Sequence, residues 1–170
     1  FAGMLFYQKI ARYFHSLKSI ALWLILFGIF LFLADRFGKK EKGLKDLTWT
    51  DALIIGLFQA LALMPGVSRS GVTITYALLA GFKREVCARY SFLLSIPIIA
   101  GAGLFELLKI FSSPQNFLPL PTITVLFFSF ISGFFCIKYF LSYLEKKNFD
   151  PFVIYRPLLS IFILILWRLK

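Results

Sequence analysis

Apolar runs long enough to cross a bilayer alternate along this chain with short charged stretches. A hydrocarbon core about 30 Å thick takes roughly 20 residues of helix at 1.5 Å per residue. On that ruler the chain predicts spans at about 19–34, 90–108, 122–141 and 152–167, with Pro97 and Pro157 as candidate kinks. Two further apolar runs, 52–64 and 72–80, are too short to cross and flank the string Pro65-Gly66-Val67-Ser68-Arg69-Ser70-Gly71. Two half-length helices joined by a polar break read as a re-entrant hairpin, or as one broken helix. Unpaired backbone at membrane depth is tolerated only where it lines a protein-enclosed or wet cavity, which makes the break a site candidate. Residues 1–18 mix Lys9, Arg12, His15 and Lys18 with aromatics, and fit either the end of an earlier helix or an interfacial segment.

Composition turns this pattern into a fold class. The 170 residues are 59% hydrophobic with 22 Phe, against roughly 45–50% apolar residues in soluble domains. A water-soluble core is excluded, and the expectation is an all-α, polytopic integral membrane helical bundle forming a single transmembrane domain over 1–170. The net charge is +11, and its Lys and Arg sit between the apolar runs, as cytoplasmic loops and membrane lipids require. No basic face with interleaved aromatics lies outside those runs, so no nucleic-acid partner is expected. The stretch 36–46, with Arg36, Lys39, Lys40, Lys42 and Lys45, is placed in the cytoplasm, 109–121 outside, 142–151 inside and the C-terminus outside. Thr48 and Asp51 flank a helix start. Cys87 and Cys136 lie in or beside apolar runs, which points away from a disulfide or metal site. The chain opens with Phe1 and reads as N-terminally truncated.

The chemistry concentrates in the break. An arginine between two intramembrane half-helices costs on the order of 2.5–3.5 kcal/mol by insertion scales, so Arg69 needs a partner or a wet cavity. Guanidinium matches phosphate oxygens in a bidentate fork. Gly66 and Gly71 permit close backbone approach, and Ser68, Ser70 and Thr73 offer hydroxyls around one anion. A half-helix beginning near Ser70 would aim its free amides and positive dipole end at the same spot. The plain structural alternative is a capped Pro-Gly turn with Arg69 reaching lipid headgroups.

The string Gln59-Ala-Leu-Ala-Leu-Met-Pro-Gly-Val-Ser-Arg-Ser-Gly-Val-Thr73, followed by Gly81-Phe82 and Arg89-Tyr-Ser-Phe-Leu-Leu-Ser-Ile-Pro97, resembles the second signature region of the undecaprenyl-diphosphate phosphatases, the bacitracin-resistance family. The resemblance is close over 51–108 and looser beyond. It implies a multi-pass bacterial inner-membrane enzyme that removes one phosphate from a polyprenyl diphosphate, recycling the cell-wall lipid carrier. It also implies that this chain is the second half of an inverted-repeat fold with two re-entrant hairpins. Residue by residue, Arg69 matches the phosphate-binding arginine, with Ser68 and Ser70 beside it as catalytic candidates. Ser68, Ser70 and Thr73 match the family's signature hydroxyls, and Gly66, Gly71 and Thr73 are the residues expected to bind substrate. The family's other signature, a Glu-x-x-x-Glu followed by Pro, serines and a His, is absent; Gln59 and Leu63 stand where its glutamates would align. The divalent metal the family implies, Mg or Ca, is therefore expected to take its ligands from a portion upstream of this chain, and the fragment alone is expected to be inactive. A nucleophilic Ser68 or Ser70 would lack a base in this chain.

Other residues invite plainer readings. Glu106 and Lys109 are spaced for an ion pair on one helix face, Glu85 groups with Arg84 and Arg89, and His15 and Arg156 read as interfacial or headgroup-reaching. Gly101 and Gly103 point to close helix approach. A polyprenyl-phosphate or anion carrier would use the same broken-helix site. An acid-phosphatase-like lipid phosphatase would need a histidine after Ser68-Arg69, which is absent, and a purely structural subunit leaves the string unexplained. A homodimer is compatible with all of these.

Overall fold

The computed structural model describes residues 16–112 and 119–169; the readings of 1–15, His15 included, and of the loop at 113–118 lie outside the described residues. Among the described residues six α-helices follow one another: α1 Leu17–Phe37, α2 Trp49–Ala60, α3 Arg69–Leu79, α4 Arg84–Ser112, α5 Pro119–Lys146 and α6 Asp150–Leu169. Short 3-10 turns at Leu44–Asp46 and Leu61–Leu63 lead into and out of α2. Four helices, α1, α4, α5 and α6, are long and apolar enough to cross a membrane. Pro97 and Pro157 lie inside α4 and α6, which run through them. Among the described residues there is no strand, only an isolated backbone bridge between Lys42 and Phe82.

The helix starts follow from local chemistry. The Ser16 hydroxyl accepts from the Ser19 amide (3.1 Å) and opens α1. Thr48 and Asp51 form a reciprocal capping box at α2: the Thr48 hydroxyl accepts from the Asp51 amide (3.1 Å), and the Asp51 carboxylate accepts from the Thr48 amide (3.1 Å) and hydroxyl (2.7 Å). Ser68 opens α3 by accepting from the Gly71 amide (3.3 Å). Each cap satisfies an amide that the first turn leaves unpaired.

α1 and α6 pack antiparallel along their whole lengths. From one end to the other, Lys18 lies over the Trp167 ring (3.9 Å), the Ser160 hydroxyl donates to the Ala21 carbonyl (2.9 Å), the Arg156 guanidinium donates to the Phe27 carbonyl (3.1 Å), and the Phe149 amide donates to the Asp35 carboxylate (3.2 Å). The other Asp35 oxygen takes the Arg84 guanidinium (2.6 Å). Asp35, buried at the end of α1, thereby ties the start of α4 and the start of α6 to one end of the bundle. Arg84 was grouped by sequence with Glu85 and Arg89; its carboxylate partner is instead Asp35, because the bundle brings the end of α1 nearer than its own helix neighbours can reach.

α3 runs beside α1, with Gly66 against Ile20 near the start of α1 and Leu78 against Gly38 just past its end. α2 packs on α3 through Phe58 and Tyr76, whose ring centroids are 5.0 Å apart. The segments flanking this pair lie side by side: Glu41 and Lys42 amides donate to the Gly81 carbonyl (2.9 Å each), and the Lys83 amide donates to the Lys42 carbonyl (3.0 Å). The buried core gathers Leu31, Ile55, Leu78, Phe82 and Phe149 beneath them. From residue 96 to 109 α4 is exposed, and a Cβ added at Gly101 or Gly103 would meet nothing within 4 Å. The close approach expected at those glycines is not made among the described residues, since this half of α4 stands clear of its neighbours. The Glu106–Lys109 pair does form, at 2.9 Å.

Candidate functional site

The loop between α2 and α3 is held by a small apolar cluster. Val67 and Val72 are buried against Phe27, with Trp23, Phe58, Ala62 and Met64 packed around them. Gly66 turns the chain at φ +90°, and a Cβ there would sit 2.5 Å from the Ile20 carbonyl oxygen, so only glycine fits both the conformation and the contact. α3 then begins at Arg69, close to the position expected from sequence.

Three of the singled-out hydroxyls occupy distinct settings. Ser68 caps α3 and lies 3.3 Å from the Ser70 hydroxyl. Ser70 is half-buried and lines a cavity. Thr73 is buried; its hydroxyl faces the Arg69 and Ser70 carbonyls (3.2 and 3.1 Å) and the Ser91 hydroxyl (2.8 Å), which ties α3 to α4. That geometry holds the loop from behind. The Arg69 guanidinium, half-buried in the first turn, makes no hydrogen bond or ion pair among the described residues; only the Arg69 carbonyl is engaged, by Thr73. The first-turn amides of α3 and the positive end of its dipole share its position.

One residue was misplaced by sequence reasoning. Arg156 does not reach headgroups: it is 8% exposed, inside the bundle, and a Cβ added at Gly71 would collide with its guanidinium. The space that a side chain at Gly71 would take is filled by this guanidinium. Arg156, Ser70 and Gly71 line one cavity of about 650 Å³. Six residues into α6, roughly 9 Å along the helix, is too deep for an arginine without a purpose, and that depth was the available signal. Among the described residues no cluster of three or more His, Cys, Asp or Glu could hold a metal ion; the loop itself supplies no ligand set for one.

Among the described residues, four helices able to cross a bilayer, packed with a shorter helix that begins at an arginine, define a multi-pass membrane protein. The family model described as bacitracin resistance protein BacA matches residues 1–162, and the chain belongs to that family. It is 48% identical over 98% of its length to an undecaprenyl-diphosphatase of Thioalkalivibrio sulfidiphilus, 43% identical over 97% to one of Clavibacter michiganensis and 44% identical over 97% to one of Thermobifida fusca. It spans 63%, 61% and 56% of the lengths of those relatives. The spans and the family together place it in the bacterial inner membrane as a multi-pass protein.

Proposed function

We propose that this chain forms the phosphate-holding half of an enzyme that hydrolyses undecaprenyl diphosphate to undecaprenyl phosphate and inorganic phosphate, recycling the cell-wall lipid carrier and lowering sensitivity to bacitracin. The observation that carries this reading is Arg69 at the amino end of α3, without a carboxylate partner among the described residues, inside an apolar bundle. In hydrolysis a water oxygen bonds to the terminal phosphorus as the anhydride P–O bond breaks, and the bridging oxygen leaves with the lipid phosphate. Catalysis of such a step is mostly positioning and charge stabilisation. Arg69 neutralises non-bridging oxygens, the first-turn amides and the Ser70 hydroxyl orient them, Ser68 fixes the helix start, and Thr73 fixes the loop to α4.

In the same reading α2 and α3 are a re-entrant hairpin. Its two ends are joined at the Lys42–Phe82 bridge, and its turn at Gly66 touches Ile20, fifteen residues before Asp35, about 22 Å along α1. The basic stretches around Arg36–Lys45, Lys83–Arg84 and Lys146–Lys147 gather at the Asp35 end, which supports a cytoplasmic assignment for that end. The site then lies nearer the opposite face. The part of the relatives' length that this chain does not span would carry the partner hairpin and the acidic ligands of the divalent metal, which supplies further charge neutralisation when bound.

The test is phosphate release from a C55 diphosphate by the full-length parent protein in detergent with Mg²⁺ or Ca²⁺. Arg69→Ala is expected to lower the rate by a factor on the order of 10²–10³. A folded wild type that releases no phosphate, or an Arg69→Ala variant as fast as wild type, overturns the reading.

A further inference from the structure

The cavity beside α3 has two chemically distinct parts. Leu31, Ile74, Phe92, Phe140, Phe149 and Phe152 make an apolar wall, and Ser70, Gly71 and Arg156 make a polar end. Arg156 is more than nine-tenths buried; it donates to the Phe27 carbonyl, and among the described residues no carboxylate pairs with it. A guanidinium has five N–H donors in a fork that matches two phosphate oxygens. One carbonyl leaves most of that capacity unused, and a buried charge of this kind is costly unless an opposite charge meets it. A half-open, hydrocarbon-lined groove of about 650 Å³, with a cation at one end that no carboxylate among the described residues meets, fits an amphiphile with an anionic head.

We infer that this cavity seats the lipid end of the substrate: Arg156 binds the phosphate that stays on the polyprenyl chain, and the aromatic and aliphatic wall holds the isoprene units next to it. This rests on the polyprenyl-diphosphate reading above and divides the labour within it. Arg156 lines the groove where a tail fits, and the tail is bonded to the phosphate that is retained. Arg69 does not line that groove and is left for the phosphoryl group that is transferred.

Cys136 also lines the cavity and is exposed, so its alkylation reports occupancy without turnover. In the full-length parent, N-ethylmaleimide labelling of Cys136 is followed by peptide mass spectrometry with farnesyl monophosphate, undecaprenyl phosphate or inorganic phosphate present. Both lipid phosphates are expected to slow labelling, and inorganic phosphate is not. Arg156→Gln is expected to abolish that protection and to raise the KM for lipid diphosphate on the order of 10- to 100-fold with a smaller effect on kcat, while Arg156→Lys recovers part of the loss. The inference is overturned if Cys136 of the lipid-free protein is unreactive, if lipid phosphates protect no better than inorganic phosphate, or if Arg156→Gln keeps the wild-type KM. Should Arg156→Gln not fold, protection of wild-type Cys136 alone decides. A wild type that is protected but hydrolyses nothing keeps this site and removes the phosphatase reading; one that hydrolyses but is unprotected does the reverse.

Discussion

Gly66 in the loop and Gly71 in the first turn of α3 stand five positions apart and are glycine for unrelated reasons. Gly66 combines a positive φ with the Ile20 carbonyl at van der Waals limits. Gly71 has an ordinary helical backbone but gives its side-chain space to Arg156. Gly71→Ala is therefore expected to destabilise the folded protein by about 1–3 kcal/mol through overpacking. In an Arg156→Ala background the same methyl finds room, so the double variant should lose less than the sum of the two singles. Thermal unfolding in detergent of the four proteins reads this directly, and strict additivity would show that the two residues do not touch. The sequence made the loop legible because Pro, Gly, Ser and Arg between apolar runs mark a polar break, and the longer string around it carries the family resemblance. It left Arg156 illegible, because its neighbours are a glycine and a backbone carbonyl on distant helices, and neither announces itself as a partner for charge.

At the level of helices, hydropathy located the elements and caps located their starts. The run at 90–108 became Arg84–Ser112 and the run at 122–141 became Pro119–Lys146. Apolar length measures the hydrocarbon crossed, whereas a helix continues through the interface for as long as its amides find carbonyls. The run at 72–80 begins earlier, at Arg69, because Ser68 supplies the cap. The run at 52–64 tightens into a 3-10 turn from Leu61 before the loop. Helix α2 owes its start to Thr48 and Asp51, and either Thr48→Ala or Asp51→Asn should cost about 1 kcal/mol. The Thr48 hydroxyl holds the Asp51 carboxyl below its ordinary value of 3.8. A carboxyl depressed in the folded state stabilises the fold above its unfolded value, and that contribution is lost as pH falls through the folded value. The gap in unfolding temperature between wild type and Asp51→Asn should thus be level near neutrality and close below about pH 4. A gap that widens on acidification would contradict the cap.

For the molecule as a whole, one end carries the charge and the other receives the loop. The Asp35 contacts bring three separate basic stretches to a common face, while Lys18 and Trp167 meet at the other. Cysteines introduced in place of Lys40 and Lys147 should react with a membrane-impermeant maleimide only after cells are permeabilised, and one in place of Trp167 should react in intact cells. Labelling of all three from one side would break the arrangement. The all-α class and the four long apolar helices among the described residues were legible from hydropathy; their partners were not. α1 and α6 pack through Ser160, Arg156 and two carbonyls, contacts that no periodicity in either segment encodes.

Asp35 also sets a clock. Its two oxygens are filled by residues far apart in the order of synthesis: Arg84 follows it by 49 positions and Phe149 by 114. At ribosomal rates of about 5–20 residues per second, the second partner, the Phe149 amide, emerges roughly 6–23 s after the carboxylate does. From the emergence of Arg84 to that of Phe149 a nascent chain carries a half-filled acid at the end of α1, and arrival of α6 closes it. Among the described helices, α6 is therefore the one that completes this end of the bundle, and a chain stopped before Phe149 would leave the latch open.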